Sequence, residues 1–300
     1  MTVLAVDVGG TKLAAAVVTD DGVLLSRSQH PTPAGDAEQI WAALAEVCSE
    51  ALTSAGSPSV DAVGAGASGP MRWPEGVVAP LNIPGWRAGF PLRTRLSERF
   101  GPTRLHNDAI CVAVGEHWRG AARGATHMLG MVVSTGVGGG LVLGNRLVDG
   151  GRGNAGHIGH VIVEPDGPLC GCGAHGCLEA VARGPAIAAR AGVATAAEAA
   201  ERARAGDAAA STEFTRAGTA LGRAIASVAA VCDLDIAVVG GGVAKSGDLL
   251  FVPARAELAA RARLDFLADL TIVPAALGGD AGLVGAAALW LGGDRYWSAD

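Results

Sequence analysis

The sequence predicts an α/β fold made of two related lobes with a cleft between them. A strand, a glycine-rich turn and a second strand occur in that order twice, at residues 3–18 and 127–143. Glycine accounts for 45 of the 300 residues and apolar residues for 50%, which is typical of a compact α/β enzyme with many tight turns. Because the motif recurs, we interpret the chain as two halves of one weak internal repeat.

Apolar spacing and turn residues predict the elements in order. In the first half we expect strands at 3–8, 13–18, 23–27 and 60–67, and helices at 37–55 and 109–118. Residues 69–91, rich in Gly, Pro and Trp, predict an ordered loop over a site. In the second half we expect strands at 126–133, 141–143 and 236–239, alanine-rich helices within 180–231, and a closing helix at 281–291.

Charge and hydropathy exclude several functions. A formal net charge of -6 disfavours nucleic-acid binding through the general surface. The first eight residues lack the basic start and long apolar run of a signal peptide. Glycine, proline or charge interrupts each apolar stretch before it reaches membrane-spanning length. We therefore expect a cytoplasmic protein that binds neither nucleic acid nor membrane.

Three of the six cysteines lie within eight residues. Cys170, Cys172 and Cys177, with either His157 or His160, make a Cys₃His set, a usual ligand set for structural zinc. The alternatives are buried free thiols that happen to be close, or a disulfide that leaves one cysteine over. Glycines between the cysteines favour a short loop folded around one ion.

Glycine-rich turns and carboxylates at strand ends indicate a phosphate-handling site. The turns at residues 9–11, 135–138 and 240–242 follow strands, and glycine lets backbone N–H groups approach a nucleotide. Asp7, beside the first turn, either holds Mg²⁺ through water or caps the turn. Asp108, after Asn107, either caps a helix or acts as a general base.

The segment at residues 64–69 formally matches the dinucleotide fingerprint G-x-G-x-x-G. Pro70 and Pro74 forbid the helix whose N-terminus would hold a pyrophosphate, so we reject dinucleotide binding.

Together these segments resemble the ROK group of sugar kinases (repressors, open reading frames and kinases), which has the actin/hexokinase-like, ribonuclease H-like fold. The resemblance covers essentially the whole chain and rests on residues 7–12, 79–86, 107–109, 134–140, 170–179 and 240–243. It implies a small lobe of residues 1–115 plus the C-terminal helix at about 281–300, and a larger lobe of residues 116–280 carrying the zinc loop.

The activity implied by the resemblance is ATP-dependent 6-phosphorylation of a hexose or N-acylhexosamine. Residues 155–160, 166–168 and 170–173 look most like bacterial N-acetylmannosamine kinases, so that sugar is favoured, with glucokinase as the alternative. A sugar-sensing ROK repressor is less favoured, because such proteins carry a helix-turn-helix segment before the first glycine strand, which begins here by residue 3. A homodimer or a dimer of dimers is also implied.

The resemblance also assigns residue roles. Asp108 is the expected catalytic base, and the expected sugar contacts are Gly69, Asn82, Asn107, Asp108, His157, His160 and Glu179. ATP and its Mg²⁺ are expected at Asp7, Gly9, Gly10, Thr11, Lys12, Ser134, Thr135, Gly136, Gly138, Gly241 and Gly242. In the family pattern Gly-Glu-(Ile/Leu)-Gly-His the last histidine binds zinc. On this chain that assigns His160 to the zinc with Cys170, Cys172 and Cys177, whereas His157 replaces the sugar-binding glutamate.

Overall fold

The computed structural model describes residues 1–57 and 59–299, which divide into two compact α/β units. The first takes residues 1–123 and 145–155 and the C-terminal segment from 279. The second takes residues 124–144 and 156–278. Sequence reasoning placed residues 116–123 and 145–155 in the other lobe. Within the first unit, Asp149 of the segment 145–155 is hydrogen-bonded to His106 and to Ser298.

The first unit contains both strands and helices. Its strands are β1 Thr2–Val8, β2 Lys12–Thr19, β3 Ser28–Pro31, β4 Ala62–Ala67, β5 Met71–Arg72, β6 Val77–Val78, β7 Thr103–Asn107 and β10 Arg146–Leu147. Its helices are α1 Ala37–Ser54, α2 Leu92–Phe100, α3 Asp108–Trp118 and α9 Ala281–Leu291.

The second unit has β8 Met128–Val133, β9 Val137–Leu143, β11 Ile236–Gly240 and β12 Thr271–Pro274. Its helices are α4 Leu178–Ala182, α5 Gly184–Arg190, α6 Ala196–Arg204, α7 Ala208–Cys232 and α8 Asp248–Arg261. No helix among the residues described in either unit is both long enough and apolar enough to cross a membrane.

The two units repeat one strand pattern. In the first, the order is β3-β2-β1-β4-β7, with β1 antiparallel to β2 and parallel to β4, and β4 parallel to β7. In the second, the order β9-β8-β11-β12 has the same sequence of antiparallel and parallel pairs. The internal repeat predicted from the two strand–turn–strand motifs is therefore present in the topology.

Helices cover both sheets with apolar side chains. In the first unit, α1 packs against β2, and α9 packs against β1 and β4. In the second, α7 and α8 pack on each other over a core that includes Phe214 and Leu221. The central strands β1, β4, β8 and β11 consist mainly of apolar residues and glycine and are almost wholly buried, as parallel strands under helices usually are.

Some predicted elements differ from the structure. The predicted strand at 23–27 is absent; only Leu24 forms a bridge, with Val18, and the strand lies at Ser28–Pro31. The glycines at 138–140 belong to β9 and pair with β8, whereas we expected them in a turn. Glycine fits there because a Cβ on Gly139 would lie 2.7 Å from the Gly130 carbonyl oxygen. Sequence reasoning also missed α2, α8 and β12.

Helices α3 and α9 cross at glycines. A Cβ on Gly285 would overlap the carbonyl group of Cys111, and one on Gly115 would overlap the carbonyl oxygen of Ala281. Backbones can approach this closely only where neither helix carries a side chain at the crossing. Since α3 begins at Asp108, this crossing sets where that residue lies.

We expect Gly285→Ala to lower the free energy of unfolding by about 3 kcal/mol, because an added methyl must push the two helices apart. Gly151→Ala is the matched control, since a Cβ there meets nothing within 4 Å. Urea unfolding of both variants is the measurement. Equal stabilities for the two would contradict close helix packing at Gly285.

Candidate active site and metal centre

The ends of three parallel strands meet at one edge of the first sheet. The register pairs Val8 with Ala67, and Ala67 with Asn107. The residues that follow each strand therefore lie side by side, as at the carboxyl edge of other parallel sheets. Ser68, after β4, donates a hydrogen bond from Oγ to Oδ2 of Asp108 at 2.9 Å.

Asn107 is the N-cap of α3, and its Oδ1 accepts the Ala109 N–H at 3.0 Å. The capping role that the sequence left open for Asp108 thus belongs to its neighbour, although Oδ1 of Asp108 also accepts the Ala109 N–H, at 2.8 Å. Burial, and next the negative charge of Asp7, raise the pKa of Asp108 from 3.8 to about 6. A carboxylate with a pKa near neutrality is suited to accept a proton.

Asp7 pairs with the lysine of the first glycine turn. Its Oδ2 lies 3.4 Å from Nζ of Lys12. Burial raises the pKa of Asp7 even though Lys12 lowers it. The turn itself is closed by the backbone, since the Gly9 N–H donates to the Lys12 carbonyl at 3.0 Å. The side chain of Asp7 is therefore not needed to close the turn.

Two asparagine amides occupy the space that glycines leave. A Cβ on Gly10 would lie 2.7 Å from Cγ of Asn82, and one on Gly69 would lie 3.3 Å from Nδ2 of Asn107. Nδ2 of Asn82 also reaches Oγ of Ser68 at 3.5 Å. The first unit thus brings together the predicted residues Asp7, Gly9, Gly10, Thr11, Lys12, Gly69, Asn82, Asn107 and Asp108.

The second glycine turn joins β8 to β9 in the second unit. Ser134 donates its N–H to the Gly136 carbonyl at 2.8 Å, with Thr135 between them. Oε2 of Glu179 accepts the Val137 N–H at 2.9 Å, and a Cβ on Gly136 would lie 2.9 Å from the same oxygen. Glu179 therefore supports this turn, a contact that sequence reasoning did not predict. Gly138 lies beyond the turn, in β9.

The third glycine turn lies beside the second. Gly241 has a φ of 95°, and a Cβ on it would overlap the carbonyl group of Val133 at the end of β8. A Cβ on Gly242 would lie 3.4 Å from Oγ of Ser134. The strand ends of β8 and β11 thus present adjoining glycine turns.

The predicted cysteine loop forms a compact group of donors. One donor atom from each of His160, Cys170, Cys172 and Cys177 lies within 4.8 Å of the others. The sulfurs of Cys172 and Cys177 are 3.6 Å apart, and Cys170 Sγ is 3.7 Å from Nδ1 of His160. Around tetrahedral zinc, with Zn–S near 2.3 Å, two sulfurs stand about 3.8 Å apart. The donors fit a structural zinc ion, and a metal could be held by this set.

His160 rather than His157 supplies the imidazole of that group, as the resemblance implied. The two rings stack with centroids 5.5 Å apart and an interplanar angle of 13°. Burial of its ring, and next His160, lower the pKa of His157, while nearby Glu179 acts to raise it. The lowered pKa favours the neutral form of His157, which offers one donor and one acceptor.

Sequence reasoning missed Ser68 as a candidate site residue. It follows a buried strand directly, in the same position relative to β4 as Gly9 has relative to β1. That position was a usable signal, because residues just after parallel strands gather at one sheet edge. The glycine pattern at residues 64–69 indicated a different function for this segment, dinucleotide binding.

Comparison with known proteins identifies the family. The chain matches the ROK family over residues 3–292. It belongs to the ROK family. Among ROK relatives, it is 40% identical over 308 residues to the N-acetylmannosamine kinase of Escherichia coli strain SE11, covering 96% of this chain and 98% of that protein. It is 33% identical over 311 residues to the glucokinase of Thermotoga maritima, covering 96% and 97%.

A solved ROK structure has the same fold. The crystal structure of a ROK family glucokinase from Streptomyces griseus, in complex with glucose and AMPPNP, aligns with a TM-score of 0.84 and 34% identity. The alignment covers 96% of this chain and 99% of that one. This likeness confirms the actin/hexokinase-like fold class expected from the sequence.

We expect Asp108→Asn to stabilise the protein in alkaline solution. Because the folded state raises the pKa of this carboxyl to about 6, its contribution to stability is fully present below about pH 4 and is lost as the pH rises through 6. Removing the charge should therefore add about 2 kcal/mol to the free energy of unfolding at pH 8, and less at pH 5. Urea titrations at both pH values measure the difference.

The exposed Asp269, changed to Asn, is the control and should leave stability unaltered at both pH values. An Asp108→Asn variant that is no more stable than the parent at pH 8 would show that the ionised carboxylate of Asp108 does not lower the free energy of unfolding.

Proposed function

We propose that this ROK protein transfers the γ-phosphoryl group of ATP to the 6-hydroxyl of a hexose or N-acylhexosamine. N-acetylmannosamine is the favoured substrate and glucose the alternative. The observation that carries the proposal is the Asp108 carboxylate, whose pKa burial raises to about 6, at the sheet edge that also holds Asn82, Asn107 and Ser68. The names of the relatives, sugar kinases of both kinds, support it.

In this mechanism Asp108 accepts the proton of the attacking sugar hydroxyl. As that oxygen forms its bond to the γ-phosphorus, the bond from phosphorus to the β-bridging oxygen breaks, and ADP leaves. Phosphoryl transfer depends mainly on positioning and on neutralising charge. The hydrogen bond from Ser68 and the Ala109 N–H fix both oxygens of Asp108, so the carboxylate is oriented before substrate arrives.

The glycine turns would hold the phosphates. Backbone N–H groups of the turns at Gly9–Thr11 and Ser134–Gly136 are the proposed phosphate donors, with Gly241 and Gly242 near the adenosine. Mg²⁺ bound to ATP would neutralise charge on the phosphates. Asp7 would orient that ion, and Lys12, 3.4 Å from Asp7, would add a positive charge beside the phosphates.

A zinc ion at the candidate metal site would stabilise the loop of residues 157–179 and take no part in phosphoryl transfer. Zinc held by His160, Cys170, Cys172 and Cys177 would tie residues 157–179 into one conformation, because binding to such a set is coupled to folding. His157 and Glu179 flank that segment, and both are proposed sugar contacts together with Gly69, Asn82 and Asn107.

The preference for an N-acylated sugar rests on His157. A glutamate there would offer only acceptors, whereas a neutral histidine offers one donor and one acceptor and no charge. An acetamido carbonyl could use that donor, and a carboxylate would repel it. If the histidine instead substitutes for glutamate without effect, the chain is a glucokinase.

A coupled ADP-release assay across glucose, N-acetylglucosamine, N-acetylmannosamine, mannose and fructose tests the proposal. We expect the highest kcat/KM with N-acetylmannosamine and the second highest with glucose. A tenfold preference for glucose, about 1.4 kcal/mol of transition-state binding, would overturn the choice of sugar but leave the kinase. ADP release with none of the sugars would overturn the kinase and favour a sugar-sensing repressor.

Asp108→Asn should lower kcat about a hundredfold or more, since the amide cannot accept the hydroxyl proton. The parent's kcat should fall as the pH drops through about 6, where Asp108 becomes protonated. Asp269→Asn should keep the parent's activity. Near-normal turnover by Asp108→Asn would remove Asp108 from the role of base.

Cys172→Ser should lower the metal content from about one zinc ion per chain and lower the melting temperature, because a thiolate ligand is lost. Cys232→Ser, at the end of α7, is the matched control and should keep the ion. Metal analysis of each purified protein is the measurement. Equal zinc content in the two variants, or none in the parent, would contradict the assigned ligands.

The homodimer or dimer of dimers implied by the family resemblance stays a prediction, and light scattering, which measures the molar mass in solution, tests it.

A further inference from the structure

A buried histidine and a buried carboxylate lie directly behind Asn107 and Asp108 in the first unit. His106 is the residue before Asn107 and has no exposed surface. Its Nδ1 accepts the Asn107 backbone N–H at 2.9 Å, and its Nε2 lies 3.0 Å from Oδ1 of Asp149. Because Nδ1 is an acceptor, the ring proton belongs on Nε2, where it is donated to the carboxylate.

Asp149 is engaged through both oxygens. Its Oδ2 accepts the hydroxyl of Ser298 at 2.6 Å, while Oδ1 accepts from His106. Asp149 is only 7% exposed, and a buried carboxylate is costly unless its oxygens are hydrogen-bonded. The fold therefore brings three distant parts of the chain together around this one imidazole.

Aromatic packing holds the ring from the side. Trp73 lies against His106 with ring centroids 5.9 Å apart, and Trp297 lies against Trp73 at 6.1 Å. Trp73 in turn packs on Gly153, where a Cβ would lie 2.5 Å from Cγ of the indole. The imidazole can neither flip nor tilt without disturbing these contacts.

We propose that Asp149 is a positioning residue for the reaction: through His106 it fixes the backbone at Asn107, and so the orientation of Asn107 and Asp108 toward the sugar. The inference rests on the function proposed above. Asp149 fixes the tautomer of His106, and that tautomer alone can accept the Asn107 N–H. A displacement of about 1 Å at reacting groups can cost about a hundredfold in rate.

The far end of α3 supplies a matched control. There His117 Nδ1 lies 2.6 Å from Oη of Tyr296, two residues before Ser298 in the same C-terminal segment. Tyr296→Phe removes this hydrogen bond and keeps the ring. It disturbs the anchoring of the same helix by the same segment, away from Asp108.

The test compares four variants by steady-state kinetics with the best sugar of the panel. Asp149→Leu should lower kcat at least tenfold and leave the KM for ATP unchanged. Asp149→Asn should restore kcat to within about threefold of the parent, since the amide can accept from His106 and donate to Ser298. Tyr296→Phe should lower the melting temperature but keep kcat. Ser298→Ala should lower kcat about threefold, and it decides the matter if Asp149→Leu does not fold.

Retained kcat in Asp149→Leu or Ser298→Ala would overturn the proposal. Equal losses of kcat in Asp149→Leu and Asp149→Asn would also overturn it, and so would a loss of kcat in Tyr296→Phe as large as that in Asp149→Leu. Either result would show that the contact between Asp149 and His106 contributes only to the stability of the fold. A second readout does not need activity: imidazole nitrogen NMR at pH 7.5 should show the His106 ring as a single tautomer with its proton on Nε2 in the parent, and as a mixture of tautomers in Asp149→Leu. A parent protein that has this NMR signature but no kinase activity would refute the proposed function, while still showing that Asp149 fixes the tautomer of His106.

Discussion

Parallel pairing of β1, β4 and β7 is the constraint on which the candidate site depends. The register sets the ends of these strands level, so that Asp7, Ser68 and Asp108 emerge within reach of one another although they are distant in sequence. β1 and β4 are largely buried and consist mainly of small or branched apolar residues, whereas the buried strand β7 also carries Thr103, Arg104 and His106. A shift of register by one residue would turn every side chain of the shifted strand to the other face of the sheet.

The same edge of the first sheet brings together two carboxylates whose like charges repel each other. Asp7 and Asp108 are both partly shielded from water and both have raised pKa values, and the charge of Asp7 contributes to the shift at Asp108. Such an arrangement costs folding free energy, and Lys12, Ser68 and the start of α3 only partly offset the cost. Perturbed carboxylates of this kind gather at functional sites because reactivity and stability make opposite demands on them.

The sequence predicted those parts of the candidate site that depend on local pattern. Asn107 and Asp108 became candidates because a polar pair precedes an apolar helix, and the candidate metal ligands because their spacing is short. The glycines at 138–140 misled the prediction, since glycine serves a crowded strand as well as a turn. Asp149 carried no local signal: its partner His106 is 43 residues away and Ser298 is 149 residues away. Contacts of that separation follow from the tertiary fold and cannot be read from residue spacing.

The placement of α9 has a consequence for synthesis on the ribosome. This helix packs against α3, β1 and β4, yet it is encoded after the whole of the second unit. A nascent chain that ends before residue 279 therefore carries a first unit whose sheet lacks part of its cover, with the apolar faces of those strands open to water. The second unit has its strands and helices within residues 124–278 and can complete its core earlier. A domain whose elements have all been synthesised usually folds as the chain emerges. The first unit, whose synthesis begins first, therefore completes its fold last.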